Sequence, residues 1–97
     1  MPGIEEKIDL LKRISHRFEE EKLEWALGGS MMLYFKKIVP SFDDIDLMIF
    51  FSDVDRVRNI LSEMGGLKPE NPKAKYQTKS FMEFSIEGID VDVMAGF

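Results

Sequence analysis

Asp44 and Asp46 stand two residues apart in an apolar run, Asp44-Ile45-Asp46-Leu47-Met48-Ile49-Phe50-Phe51. Side chains alternate along a strand, so both carboxylates share one face, about 6–7 Å apart. Two carboxylates at that spacing can share a hard cation or hold two neighbouring ones. Oxygen ligands suit Mg²⁺ or Mn²⁺. A second pair, Asp90-Val91-Asp92, lies near the C-terminus between β-branched neighbours. It offers a third ligand from another strand. Asp92 is the natural choice because Val91 and Val93 flank it in the strand pattern, with Asp90 on the same face. Strands disfavour aspartate, and four like charges on one sheet surface repel one another unless a counterion is present. An open, solvated sheet face would relieve the same repulsion, and that reading stays open.

Gly28-Gly29-Ser30 precedes the first pair by about a dozen residues. Glycines let a backbone approach a ligand closely. The N-terminus of a following helix presents N–H groups and a favourable dipole to an anion, and the Ser30 hydroxyl adds a phosphate contact. A strand-to-helix turn capped by serine explains the same residues without a ligand. Lys36 and Lys37 are further candidates for a phosphate, although a basic pair at a helix C-terminus also suits the helix dipole.

The elements that must position these groups follow from periodicity. Ile4, Ile8, Leu11, Ile14 and Phe18 recur at helical steps and predict a helix over 4–21; His16 lies off that stripe and faces solvent. Leu23 to Leu27 reads as a strand ended by Gly28-Gly29. Ser30 caps a helix through about Lys37, which Pro40 stops. Ile45, Leu47 and Ile49 face one way on the next strand, and Asp44, Asp46, Met48 and Phe50 the other. Ser52-Asp53 caps a helix through Met64, with Val54, Val57, Ile60, Leu61 and Met64 as its apolar face and Gly65-Gly66 as its terminator. Residues 67–73, with Pro69 and Pro72, form a loop, and Lys75 to Thr78 a short strand. Met82, Phe84 and Ile86 alternate with polar residues, Glu87-Gly88 turns, and Ile89, Val91 and Val93 form a last strand. The order α-β-α-β-α-β-β-β predicts an α+β, two-layer fold: a mixed β-sheet with helices packed on one face.

Bulk composition narrows the chemistry. The 97 residues form one domain, 1–97, with 44% hydrophobic residues, enough for one core. No apolar run reaches the roughly 18–20 residues that span a bilayer, and the acidic N-terminus carries no secretory signal; both favour the cytoplasm. With no cysteine and one histidine, thiolate zinc sites, cysteine nucleophiles and multi-histidine metal sites are excluded. The net charge of −5, from 13 basic and 18 acidic side chains, makes duplex nucleic acid a poor partner. A nucleotide is still admissible, since a divalent ion reverses the local sign.

The run Gly28-Gly29-Ser30, then Asp44-Ile45-Asp46-Leu47, then Val91-Asp92-Val93 resembles the nucleotidyltransferase superfamily related to DNA polymerase beta. Its pattern is a glycine-serine turn, a short helix, a strand Asp-X-Asp and a later strand carboxylate. The resemblance covers residues 23–97, with the N-terminal helix also in place. It implies that Asp44, Asp46 and Asp92 hold Mg²⁺ (or Mn²⁺) and that Gly28, Gly29 and Ser30 cradle a nucleoside triphosphate. A nucleoside monophosphate would pass to a hydroxyl acceptor, with Asp92 as the base if one is needed. That acceptor is a small molecule, a protein tyrosine or serine, or an RNA end. Ser30 is followed by Met31-Met32-Leu33 rather than a small residue and Arg-Gly. This shifts the likeness from the antitoxin members toward the antibiotic-modifying and abortive-infection branch. The chain ends five residues after Asp92, where most family members continue with helices. A homodimer that completes the cleft is one expectation, and a fragment or a chain that no longer catalyses are others. A non-catalytic module of the antitoxin type, binding a toxin-type protein through Met31, Met32, Phe81 and Phe97, is the alternative.

Overall fold

The computed structural model of the chain describes residues 3–68 and 80–96. The expected strand Lys75–Thr78, Pro69, Pro72 and Phe97 lie outside the described residues. Three helices and five strands follow in the order α1 (Ile4–Glu20), β1 (Trp25–Gly28), α2 (Gly29–Phe35), β2 (Ile45–Ile49), α3 (Val54–Met64), β3 (Gly66–Leu67), β4 (Ser80–Ile86) and β5 (Ile89–Ala95) among the described residues. A 3-10 turn, Phe51–Asp53, leads into α3. The strands form one mixed sheet in the order β1-β2-β5-β4-β3. Strands β2 and β5 are parallel neighbours, and every other pair is antiparallel. The expected α+β architecture is therefore present.

Alternation decides which face of the sheet is buried. Ile45, Leu47 and Ile49 of β2, Ile89, Val91, Val93 and Ala95 of β5, and Met82, Phe84 and Ile86 of β4 join the core. Leu10, Ile14 and Phe18 of α1 and Val54, Val57, Ile60 and Leu61 of α3 cover them. The fully buried line of α1 is Leu10-Ile14-Phe18. Ile4, Ile8 and Leu11 are only partly buried, so the stripe is rotated toward Leu10 from its expected position. The other face of β2 and β5 is half-buried and carries Asp46, Met48, Asp90, Asp92 and Met94. Among the described residues no helix is long and apolar enough to cross a membrane.

Helix ends depart from the simple signals. Helix α2 stops at Phe35, before Pro40. Lys37 takes a left-handed φ of 61°, and the amides of Lys37 and Ile38 bond back to Tyr34 and Leu33 at 2.9 Å each. Helix α1 ends the same way, with Lys22 at φ 57° and Leu23 N–H donating to the Phe18 carbonyl at 2.9 Å. These are Schellman closures on lysine where glycine is usual, so no local glycine marks them. Ser30 does not cap α2: Gly28 is the N-cap, with no side-chain cap bond. Asp53 precedes α3 without one as well. Gly66, expected only as a terminator, instead opens the edge strand β3, paired with Ser85.

The β4–β5 hairpin sets the register that matters for the open face. Ile86 pairs with Ile89, and Glu87 and Gly88 have φ of 54° and 80°, as a two-residue primed turn requires. Glu87 is held by both guanidinium nitrogens of Arg13 at 2.6 and 2.8 Å. Gly88→Ala places a Cβ on a left-handed residue and is expected to cost about 1 kcal/mol. A lowered urea midpoint with an unchanged slope would show it; an unchanged midpoint would refute it.

Candidate functional site

Strand register builds the site. Gly28 on β1 lies opposite Asp46 on β2, Asp46 opposite Asp92 on β5, and Asp92 opposite Glu83 on β4. Residues opposite one another share a face, so Gly28, Asp46, Asp92 and Glu83 form one row across the open face. The row extends to Lys68, whose N–H donates to the Glu83 carbonyl at 2.8 Å just beyond β3. Asp44 immediately precedes β2 and lies one repeat from Asp46. Asp90 stands one repeat from Asp92, opposite Ser85.

Gly29 closes the row at the α2 end. Its φ is +61°, and a Cβ there would fall 1.8 Å from Asp46 Oδ2. Backbone and carboxylate are thus in direct apposition. Any larger residue would have to displace Asp46. Ser30 follows in the first turn of α2.

Burial first, and mutual repulsion second, raises the carboxyls of this face. Asp92 is pushed up to about 7, first by burial and then by the charges of Asp46, Asp44, Glu83 and Asp90. Asp46 is raised by burial and by Asp44, while its hydrogen bond with Asp92 opposes the rise. The two carboxyls are thus coupled, with Asp92 raised far above its ordinary value. Asp44 is raised by burial and then by Asp90 and Asp43, with Lys68 and Lys7 pulling the other way. The Lys7 ammonium donates to the Phe42 carbonyl at 3.0 Å and lies 3.9 Å from Asp43 Oδ1. Asp90 is paired with Lys68, Nζ to Oδ1 at 2.7 Å.

The sequence-predicted residues are thus divided. Asp46, Asp92, Gly28 and Gly29 adjoin one another, Asp44 lies beside them on the same face, and Asp90 is engaged by Lys68. The donor set, carboxylate oxygens only, has the chemistry of a hard-cation site. Among the described residues, no group of three acidic side chains is gathered closely enough to hold a metal ion as it stands. Asp46 and Asp92 stand in register on adjacent strands.

Two residues of this face escaped sequence reasoning. Glu83 was legible: pairing Ile86 with Ile89 across Glu87-Gly88 puts Glu83 opposite Asp92. Lys68 carried no signal, since a two-residue edge strand has no periodicity. Of the apolar contact residues expected of a binding module, Met31 is fully buried in the core and Met32 and Phe81 are half-buried. The exposed large apolar side chains among the described residues are Phe35, Ile38, Phe50, Phe51 and Leu67. Beside the acidic row, Glu24, Trp25, Ala26, Met48, Ile49 and Phe50 line an open groove of about 280 Å³.

No protein-family model and no curated protein matches the chain. Among solved structures, it is similar to a putative nucleotidyltransferase from Thermotoga maritima, with a TM-score of 0.77 and 24% identity. The match covers 97% of this chain and 58% of that one. The chain therefore has a nucleotidyltransferase-like fold and spans little more than half the length of the protein it matches.

Proposed function

We propose that this chain is a metal-dependent nucleotidyltransferase domain, transferring a nucleoside monophosphate from a nucleoside triphosphate to a hydroxyl acceptor. One observation carries the reading: Asp46 and Asp92 meet in register on adjacent parallel strands, with Asp46 directly against Gly29. Buried apolar faces alone would not require acids there; burial raises both carboxyls, Asp44 raises Asp46 further, and Asp46 raises Asp92 further. The fold of the Thermotoga maritima protein supports the same class.

In this reading Asp44, Asp46 and Asp92 hold Mg²⁺ or Mn²⁺. The bound ion supplies charge neutralisation at the triphosphate and a lowered pKa for the acceptor hydroxyl. Gly28 and Gly29 leave the backbone open to phosphate oxygens, and Ser30 adds a hydroxyl. If the acceptor proton needs a base, Asp92 is the carboxylate that takes it. The net charge of −5 favours a small-molecule or protein hydroxyl over a long nucleic acid.

Thermal unfolding with Mg²⁺ and each nucleoside triphosphate tests the proposal. A ligand at ten times its Kd adds roughly 1.4 kcal/mol, which raises the melting temperature of a domain this size by on the order of 5–10 °C. Asp46→Asn is expected to lose that shift while remaining folded. No shift of the wild-type chain at millimolar metal and nucleotide would overturn the reading in favour of a binding module. Release of pyrophosphate with candidate acceptors then identifies the reaction.

A further inference from the structure

Lys68 has an unusual path. It stands at the end of the row Gly28-Asp46-Asp92-Glu83, beyond the edge strand β3. Its ammonium is bonded to Asp90 on β5 at 2.7 Å. Strands β3 and β5 are separated by β4, so the Lys68 and Asp90 side chains together bridge two strand spacings, about 9–10 Å. The neighbouring row runs from Asp90 through Ser85 to Gly66. Among the described residues, a Cβ at Gly66 would meet nothing within 4 Å. The ammonium is raised by its hydrogen bond to Asp90 and by the charges of Asp90, Glu83 and Asp92. It also acts on Asp44 from the far side of the patch. One cation thus bears on Asp90, Glu83, Asp92 and Asp44. Its mooring on Asp90 is only part-buried, with the two side chains 37% and 48% exposed. A half-exposed ion pair of that kind is weak and exchanges readily for a better partner.

We propose that Lys68 is the phosphate-engaging cation of this site, moored on Asp90 and transferred to a phosphate oxygen of the ligand that Asp46 and Asp92 receive. This rests on the nucleotidyltransferase reading and names the residue that recognises the anionic part of its substrate. An ammonium on a long, flexible stem makes such a point-charge contact to phosphate. Asp90 is then a docking post for Lys68, and Asp92 the carboxylate that completes the row.

The test is isothermal titration of the full chain with Mg²⁺–ATP, Mg²⁺–tripolyphosphate and Mg²⁺ alone. Lys68→Met is expected to weaken Mg²⁺–ATP and Mg²⁺–tripolyphosphate by about tenfold, with Mg²⁺ alone nearly unchanged. Lys68→Arg should restore most of the loss. Asp90→Asn frees the lysine and is expected to tighten Mg²⁺–ATP severalfold. Circular dichroism melts of each variant confirm that it is folded. Equal Mg²⁺–ATP affinity for wild type and Lys68→Met overturns the inference and leaves the transferase reading standing. Loss of Mg²⁺ binding in Asp90→Asn overturns it too, by making Asp90 a ligand. If the folded wild type binds neither Mg²⁺–ATP nor Mg²⁺–tripolyphosphate, the transferase reading falls and this inference with it.

Discussion

Asp92→Asn is expected to stabilise the metal-free protein at pH 8 while removing the proposed transfer activity. The Asp92 carboxyl is held at about 7, against an ordinary value of 3.8, by burial and by Asp46, Asp44, Glu83 and Asp90. Between those two values the folded chain keeps a proton that the unfolded chain has released. Stability therefore falls as pH rises across that interval. The contribution is fully present below about pH 4 and is gone once pH passes about 7. Asp44 and Asp46 are shifted in the same direction. Glu87, lowered by Arg13, opposes them from an exposed position where screening is strong. Asp92 is itself only half-buried, so solvent reduces the full linkage value to about 1–2 kcal/mol. An amide at this position is uncharged at every pH and can still donate a hydrogen bond to Asp46. The melting temperature of Asp92→Asn should exceed that of the wild type by roughly 4–8 °C at pH 8, for about 1 kcal/mol, and match it near pH 4. Saturating Mg²⁺ should reverse the order, because only the wild type then gains a counterion. A wild-type chain that becomes more stable from pH 5 to pH 8 without metal would show that the carboxylates do not repel as described.

The same acids explain how much of the molecule could be read from its residues. The faces of β2 and β5 were legible because alternation is a local property: Ile45, Leu47 and Ile49 against Asp46 and Met48, and Val91 and Val93 against Asp92. The hairpin was legible through Glu87-Gly88. The pairing of β2 with β5 was not, since a parallel neighbour is chosen by packing between distant segments. It is that pairing which turns two separate acidic strands into one row. The ends of α1 and α2 were hidden for another reason. Lysines adopt the left-handed conformation there, at a cost the surrounding hydrogen bonds offset, and the glycine that normally announces a closure is missing. Ser30 misled because its type fits a cap, whereas Gly29, already left-handed and pressed on Asp46, begins the helix one residue earlier. Lys68 lies on an edge too short to show any pattern, so its place on the acidic face emerges only from the β3–β4 register.

Gly29→Ala is expected to disable the site more than any other single methyl added to the described glycines of this face. Its Cβ would fall 1.8 Å from Asp46 Oδ2 and 2.7 Å from Cγ, far inside contact distance. Asp46 must then rotate away, which breaks its hydrogen bond with Asp92 and moves a carboxylate by an ångström or more. Misplacement on that scale costs about 100-fold in rate. The backbone adds its own penalty, since φ is +61° and a left-handed alanine costs roughly 1–2 kcal/mol. Gly28→Ala is the control. Gly28 has an ordinary φ of −124°, and its added methyl meets the terminal Cε of Met48 at 3.2 Å, a flexible tip that can turn aside. It should lose under about 1 kcal/mol of stability and far less nucleotide affinity than Gly29→Ala. The pair separates two uses of glycine that look identical in sequence. If the turn only needs backbone freedom, Gly29→Ala will lower the melting temperature yet leave the Mg²⁺–ATP affinity of the folded fraction intact. If Gly29 keeps Asp46 in register with Asp92, affinity and rate will fall together, well beyond what the lost stability explains.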